Sequence, residues 1–171
     1  MATTRMTDPD YWIQPANYIQ VDGIRSSHLS LGDDEPSAPR VVILEMQPGF
    51  ILPRHHHGCA RFEMIVKGSL HSDGEVLYSG DIMTAGTNET YGPKVAGPDG
   101  CTTVEFFASQ QSAGSEYELD DGSFYALNTT SGDQLPPNLA FATESELLRA
   151  EILAIAASTH KSTVEEYREN L

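Results

Sequence analysis

Turn signals at short, regular intervals constrain this chain most. Asp73-Gly74, Ser79-Gly80-Asp81 and Asp121-Gly122 punctuate runs of β-branched, aromatic and aliphatic residues. Both members of an Asp-Gly pair tolerate positive φ, so Asp73-Gly74, between Leu70 and Tyr78, predicts a tight hairpin, and Asp121-Gly122 predicts a second. The strand candidates are Tyr11 to Gln14, Tyr18 to Val21, Val41 to Met46, Phe62 to Val66, Ile82 to Ala85, Thr102 to Ala108, Tyr117 to Leu119 and Phe124 to Leu127. Many short strands joined by such turns imply an all-β sandwich or barrel.

The 171 residues suffice for one domain with a full core and leave no length for a second. Residues 1–39 read as an arm with short strands ending in the loop Asp33 to Pro39, and the regular domain is expected to begin near Arg40 and to span residues 40–130. Residues 131–171 change character. Leu147, Leu148, Ile152, Ile155 and Ala156 recur at helical spacing, with Glu144, Glu146, Arg149 and Glu151 between them. Thr143-Glu144-Ser145-Glu146 and Ser162-Thr163-Val164-Glu165 match capping boxes, so a loop followed by C-terminal helices is predicted. Such a tail is expected to cover a barrel edge or a subunit contact.

A formal net charge of −15 disfavours nucleic acid and anionic membranes as partners, since both are bound through clustered cations. No apolar stretch approaches membrane-spanning length, and Met1 to Asp10 lacks the basic start and apolar run of a signal peptide, so a cytoplasmic protein is expected. Cys59 and Cys101 do not make a disulfide framework. Cys59 stands two residues past His57, as a ligand, a redox-active thiol or a small core residue.

Chemistry concentrates in Pro48-Gly49-Phe50-Ile51-Leu52-Pro53-Arg54-His55-His56-His57, followed by Glu63 and Gly68. In an extended segment alternate side chains share a face, so His55 and His57 project together and His56 projects oppositely. Neutral imidazole is the commonest protein ligand for transition metals.

Gly49, His55, His57 and Gly68 match the first motif of the cupin superfamily, and Gly80-Asp81-Ile82-Met83-Thr84-Ala85-Gly86-Thr87 resembles the second, with Gly86 where proline is usual. The match covers roughly Arg40 to Ala108. It implies a cupin jelly-roll β-barrel, with a metal in its mouth, carrying the C-terminal helical tail. Two departures stand out. Counted back from Gly68, the family's glutamate ligand falls at Arg61, and Glu63 lies one pleat repeat further along the same face. The histidine of the second motif aligns with Tyr91 in Glu89-Thr90-Tyr91-Gly92-Pro93.

The expected ligand set is therefore His55, His57, Glu63 and Tyr91, for a divalent transition metal: iron first, with zinc, nickel or manganese as alternatives. Glu63 is either a ligand or the acceptor that orients a histidine. Tyr91 is either a phenolate ligand or a proton donor, and His71 is an alternative for completing the set. His28 and His160 are expected at the surface. Phe50, Ile65, Met83 and Phe106 are candidates to wall the pocket.

The run from Pro48 to Phe107, with Tyr117 to Ser123, resembles small single-domain dioxygenases that cleave acetylacetone or 2,4'-dihydroxyacetophenone. That resemblance implies an oxygenase acting on a small chelating carbonyl or enol compound, with iron held by histidines alone and Glu63 dispensable as a ligand; Tyr91 and Glu63 are the expected catalytic residues. Two alternatives stay open: a metal-dependent cyclase, isomerase or lyase that uses the same two residues, and a non-catalytic cupin that binds a small molecule. Exposed sheet edges, and the pairing common among similar cupins, imply a homodimer.

Overall fold

The structure, a computed structural model, describes residues 3–12, 23–32, 35–119 and 121–126. Among the described residues it contains β1 (Ile24–Ser30), β2 (Arg40–Met46), β3 (Ile51–Leu52), β4 (His55–His57), β5 (Arg61–Ser72), β6 (Glu75–Tyr78), β7 (Ile82–Ala85), β8 (Lys94–Phe107), β9 (Ser115–Glu118) and β10 (Phe124–Ala126). One sheet runs β1-β2-β8-β5-β6, with β3 also on β8 and β7 also on β5; the other runs β10-β9-β4. The described fold is all-β, and no helix in it is long and apolar enough to cross a membrane.

Strands β5 and β8 form the spine of the larger sheet. Arg61, Glu63 and Ile65 are buried while Phe62 and Met64, between them, are only half-buried, the alternation expected of a strand with one face inside. On β8, Thr103, Glu105 and Phe107 are buried in the same way. The antiparallel register sets Arg61 opposite Phe107 and Glu63 opposite Glu105, so ionisable side chains face each other inside the molecule.

Register shifts between Ile65 and Lys67, and between Gly68 and Leu70, bend β5 around β8. Gly68 permits this bend. Its φ is 75°, and a Cβ there would fall 2.0 Å from the Gly100 carbonyl oxygen, so no larger residue fits. The Asp73-Gly74 hairpin forms as predicted: both residues have positive φ, 51° and 83°, and Ser72 pairs with Glu75 across the turn. Met46, Phe50, Leu52, Ile65, Leu70, Ala96, Cys101 and Tyr117 make the main apolar core.

Several expectations change. The main sheet begins upstream of Arg40, because β1 runs antiparallel along the whole of β2. Its sequence, Ile24 to Ser30, is too rich in serine to show apolar alternation. Tyr11 and Trp12 lie in turns rather than a strand; the rest of that candidate, and Tyr18 to Val21, fall outside the described residues. The C-terminal helices predicted in residues 131–171 also fall outside them. Strands β5 and β8 run well beyond Phe62 to Val66 and Thr102 to Ala108, since their extensions pair with each other where no apolar run marks them. Phe106 points outward, 42% exposed, against Phe62. His28 is part-buried beside Ser26 rather than at the surface, and burial, with the Arg40 charge, lowers its pKa to about 4.

Candidate functional site

Strand β4 lies between β9 and the Tyr91 segment. His55 pairs with Tyr117 on one side and exchanges two backbone hydrogen bonds of 3.1 Å with Tyr91 on the other. The His55 and His57 rings meet at 5.3 Å between centroids. His56 turns away, its Nε2 3.5 Å from Glu116 and its ring 4.6 Å from Phe124. The strand's two-residue repeat thus separates the inner pair from the middle histidine.

Each inner ring is anchored through Nδ1, by Pro53 O at 2.6 Å for His55 and by Ala113 O at 2.8 Å for His57. A carbonyl can only accept, so Nδ1 carries the proton and Nε2 keeps the lone pair. Burial, followed by the neighbouring charge of Arg61, holds His57 at about 3. Burial, then His57 and Lys94, depresses His55 well below its ordinary value. Both rings are neutral bases at pH 7.

Tyr91 packs 4.7 Å from His55, and its buried hydroxyl has no hydrogen-bond partner among the described residues. Burial raises its pKa above the ordinary value despite the nearby Arg61, so it holds its proton. Two cations lie beside its ring: the Arg61 guanidinium carbon at 4.3 Å from the centroid and Lys94 Nζ at 4.8 Å.

These cations also bind the carboxylates. Arg61 donates to Glu63 Oε2 at 2.5 Å and to Glu105 Oε2 at 3.0 Å, and Lys94 donates to the same Glu63 Oε2 at 2.5 Å. Thr103 Oγ1 donates to Glu105 Oε1 at 3.3 Å. Burial alone would raise the Glu63 pKa, but the Lys94 and Arg61 charges outweigh it and hold the carboxyl at about 2. Burial, with Glu63 opposite, raises Glu105.

The structure therefore brings His55, His57 and Tyr91 together, and turns one oxygen of Glu63 toward two cations. His71 lies half-buried on the face opposite Leu70 and Ser72. The Cys59 thiol is buried and donates to the Ser109 and Ser112 carbonyls. Sequence reasoning missed Lys94 and Glu105. A glutamate in the apolar run Val104 to Phe107 was a legible signal for the second, but nothing in Lys94's local sequence marks it as buried.

No family model and no curated protein matches the chain. Solved structures do. The chain is similar to a putative acetylacetone dioxygenase from Methylibium petroleiphilum, with a TM-score of 0.52 and 16% identity over 74% of this chain and 91% of that one. An acetylacetone dioxygenase from Acinetobacter johnsonii gives a TM-score of 0.49 and 17% identity over the same shares. An RmlC-like cupin from Ralstonia eutropha gives 0.46 and 15%, over 63% of this chain and 69% of that one. The fold is that of a cupin.

The resemblance read in the sequence implies a metal, so the donors decide whether one fits here. The two Nε2 lone pairs are correctly presented, but a catalytic metal site ordinarily has three protein ligands. Among the described residues no three His, Cys, Asp or Glu side chains are grouped to hold an ion. Tyr91 presents a phenol flanked by two cations, Glu63 has one oxygen engaged by those cations and only Oε1 left over, and Arg61 has no lone pair to give. Two imidazoles and one oxygen of a carboxylate already shared by two buried cations fit a divalent ion poorly.

Proposed function

We propose that this chain is a small-molecule-binding cupin whose barrel interior receives a compact compound bearing both carbonyl and hydroxyl groups. The observation that carries the reading is a set of buried polar atoms without partners among the described residues, on Tyr91, which packs on His55, and on Arg61 and Glu63 beside it: Tyr91 Oη, Arg61 Nε and Glu63 Oε1. Buried polar groups are ordinarily satisfied, and an unmet one costs roughly 1–3 kcal/mol. Two of these three atoms donate and one accepts, as a hydroxy-carbonyl ligand requires. The same groups suit proton transfer, since Tyr91 holds a proton and the Nε2 atoms of His55 and His57 accept one. Isomerisation or elimination through an enol is the chemistry that follows.

The competing reading is an iron-dependent oxygenase acting on an enolisable carbonyl compound, and the Nδ1 anchoring of both histidines favours it. A titration separates the two. Protein carrying nitrogen-labelled histidine is followed by NMR while small diketones, hydroxy-ketones and hydroxy acids are added in the presence of a chelator. Saturable shifts of the His55 and His57 signals, weakened in Tyr91→Phe, are expected. If no compound moves them with chelator present, and iron restores the response together with O₂ uptake, the oxygenase reading stands instead.

A further inference from the structure

We infer that the positive charge at the centre of this barrel is supplied by the buried side chains of Arg61 and Lys94, in place of a metal ion. The inference concerns the interior that the ligand-binding reading uses, and it rests on that reading only in holding that the ligand is bound without a divalent cation.

Arg61 stands on the inner face of β5 one pleat repeat before Glu63, and both residues are almost wholly buried. Its guanidinium spans Glu63 and Glu105 while lying 4.3 Å over the Tyr91 ring, and that ring packs on His55. Lys94, entirely buried, completes the group from the start of β8; burial lowers its pKa, and the Glu63 carboxylate it donates to works against that loss of charge. Both cations are therefore one aromatic ring away from the imidazole pair, and the two carboxylates that could offset a divalent ion's charge are already bound to them.

The unpartnered atoms give an independent argument. A metal ion accepts lone pairs, so it can satisfy Glu63 Oε1 but cannot accept a hydrogen bond from Arg61 Nε. An organic ligand or water can serve both. The two positions that depart from the ligand pattern of similar cupins, 61 and 91, are also in direct contact, one as a cation and the other as the aromatic face beneath it. Replacing Arg61 removes the cation from the Tyr91 face, whereas replacing Tyr91 leaves Arg61 on its two carboxylates.

Tag-free protein is loaded anaerobically with ferrous iron, and separately with zinc, then desalted and its metal counted by plasma mass spectrometry. Wild type is expected to retain no stoichiometric metal and to melt at the same temperature with and without EDTA. Stoichiometric metal that disappears in His55→Ala/His57→Ala would overturn the inference. Arg61→Glu/Tyr91→His, with folding checked by circular dichroism, is expected to gain stoichiometric metal and to melt higher when loaded; a folded double variant that takes up none also counts against the inference. Tyr91→His alone keeps the ion pairs and is expected to stay metal-free, which decides the matter if the double variant does not fold. Ligand titrations are run with EDTA and with added metal: binding that needs the metal overturns this inference, and no binding in either sinks the ligand-binding reading alone.

Discussion

Glu63 carries two positive groups on one carboxylate oxygen, and the neutral imidazoles of His55 and His57 lie across the same interior. Buried ion groups of this kind add little net stability over apolar replacements, although removing one member typically costs about 3–5 kcal/mol. The network is therefore better understood as setting the chemistry of the site than as holding the barrel shut. Its electrostatic consequence is testable at His57. The folded ring titrates at about 3 and the unfolded ring at its ordinary 6.5, so between these values the unfolded chain binds the extra proton. Stability then falls as pH falls, by roughly 2 kcal/mol from this ring between pH 7 and pH 5. Urea denaturation of wild type and His57→Gln at both pH values isolates that loss from Glu105, whose raised carboxyl acts in the opposite direction. Equal slopes in the two proteins would show that His57 is not a buried neutral base.

Strand β5 was legible only over its apolar half. Phe62 to Val66 alternates clearly, whereas Lys67 to Ser72 is paired because β8 lies beside it and β6 returns along it. The glycines of this region separate two causes of strain. Gly68 and Gly74 share a positive φ, but a Cβ at Gly68 would collide with the Gly100 carbonyl while one at Gly74 would meet nothing within 4 Å. Gly74→Ala is expected to cost roughly 1–2 kcal/mol from backbone strain alone. Gly68→Ala adds a backbone clash and is expected to cost several times that or to prevent folding. Urea denaturation checks the ranking, and a Gly68→Ala variant as stable as Gly74→Ala would show that the β5 bend relaxes freely.

Across the whole molecule, a net charge of −15 on 171 residues makes the compact state self-repelling. Screening is expected to raise the melting temperature between low and physiological salt, because the Debye length shrinks to about 8 Å at 0.15 M. A melting temperature that falls or stays level across that range would mean that local ion pairs such as Arg25–Glu45 and Arg54–Glu118 outweigh the general repulsion. At this scale the division between sequence and structure becomes clear. The all-β class of the described residues, the Asp73-Gly74 hairpin and the shared face of His55 and His57 were determined by the sequence alone, because turn dihedrals and the two-residue repeat are local properties. The partners of Glu63 were decided only by the tertiary structure. Lys94 lies 31 residues from it, and Arg61 reaches Glu105 across 44, so these charges meet only when β5 and β8 take their register and β8 brings Lys94 beneath Tyr91. Burial then makes Lys94, which nothing in its local sequence marks, part of the site, since a desolvated ion is stable only beside its counter-charge.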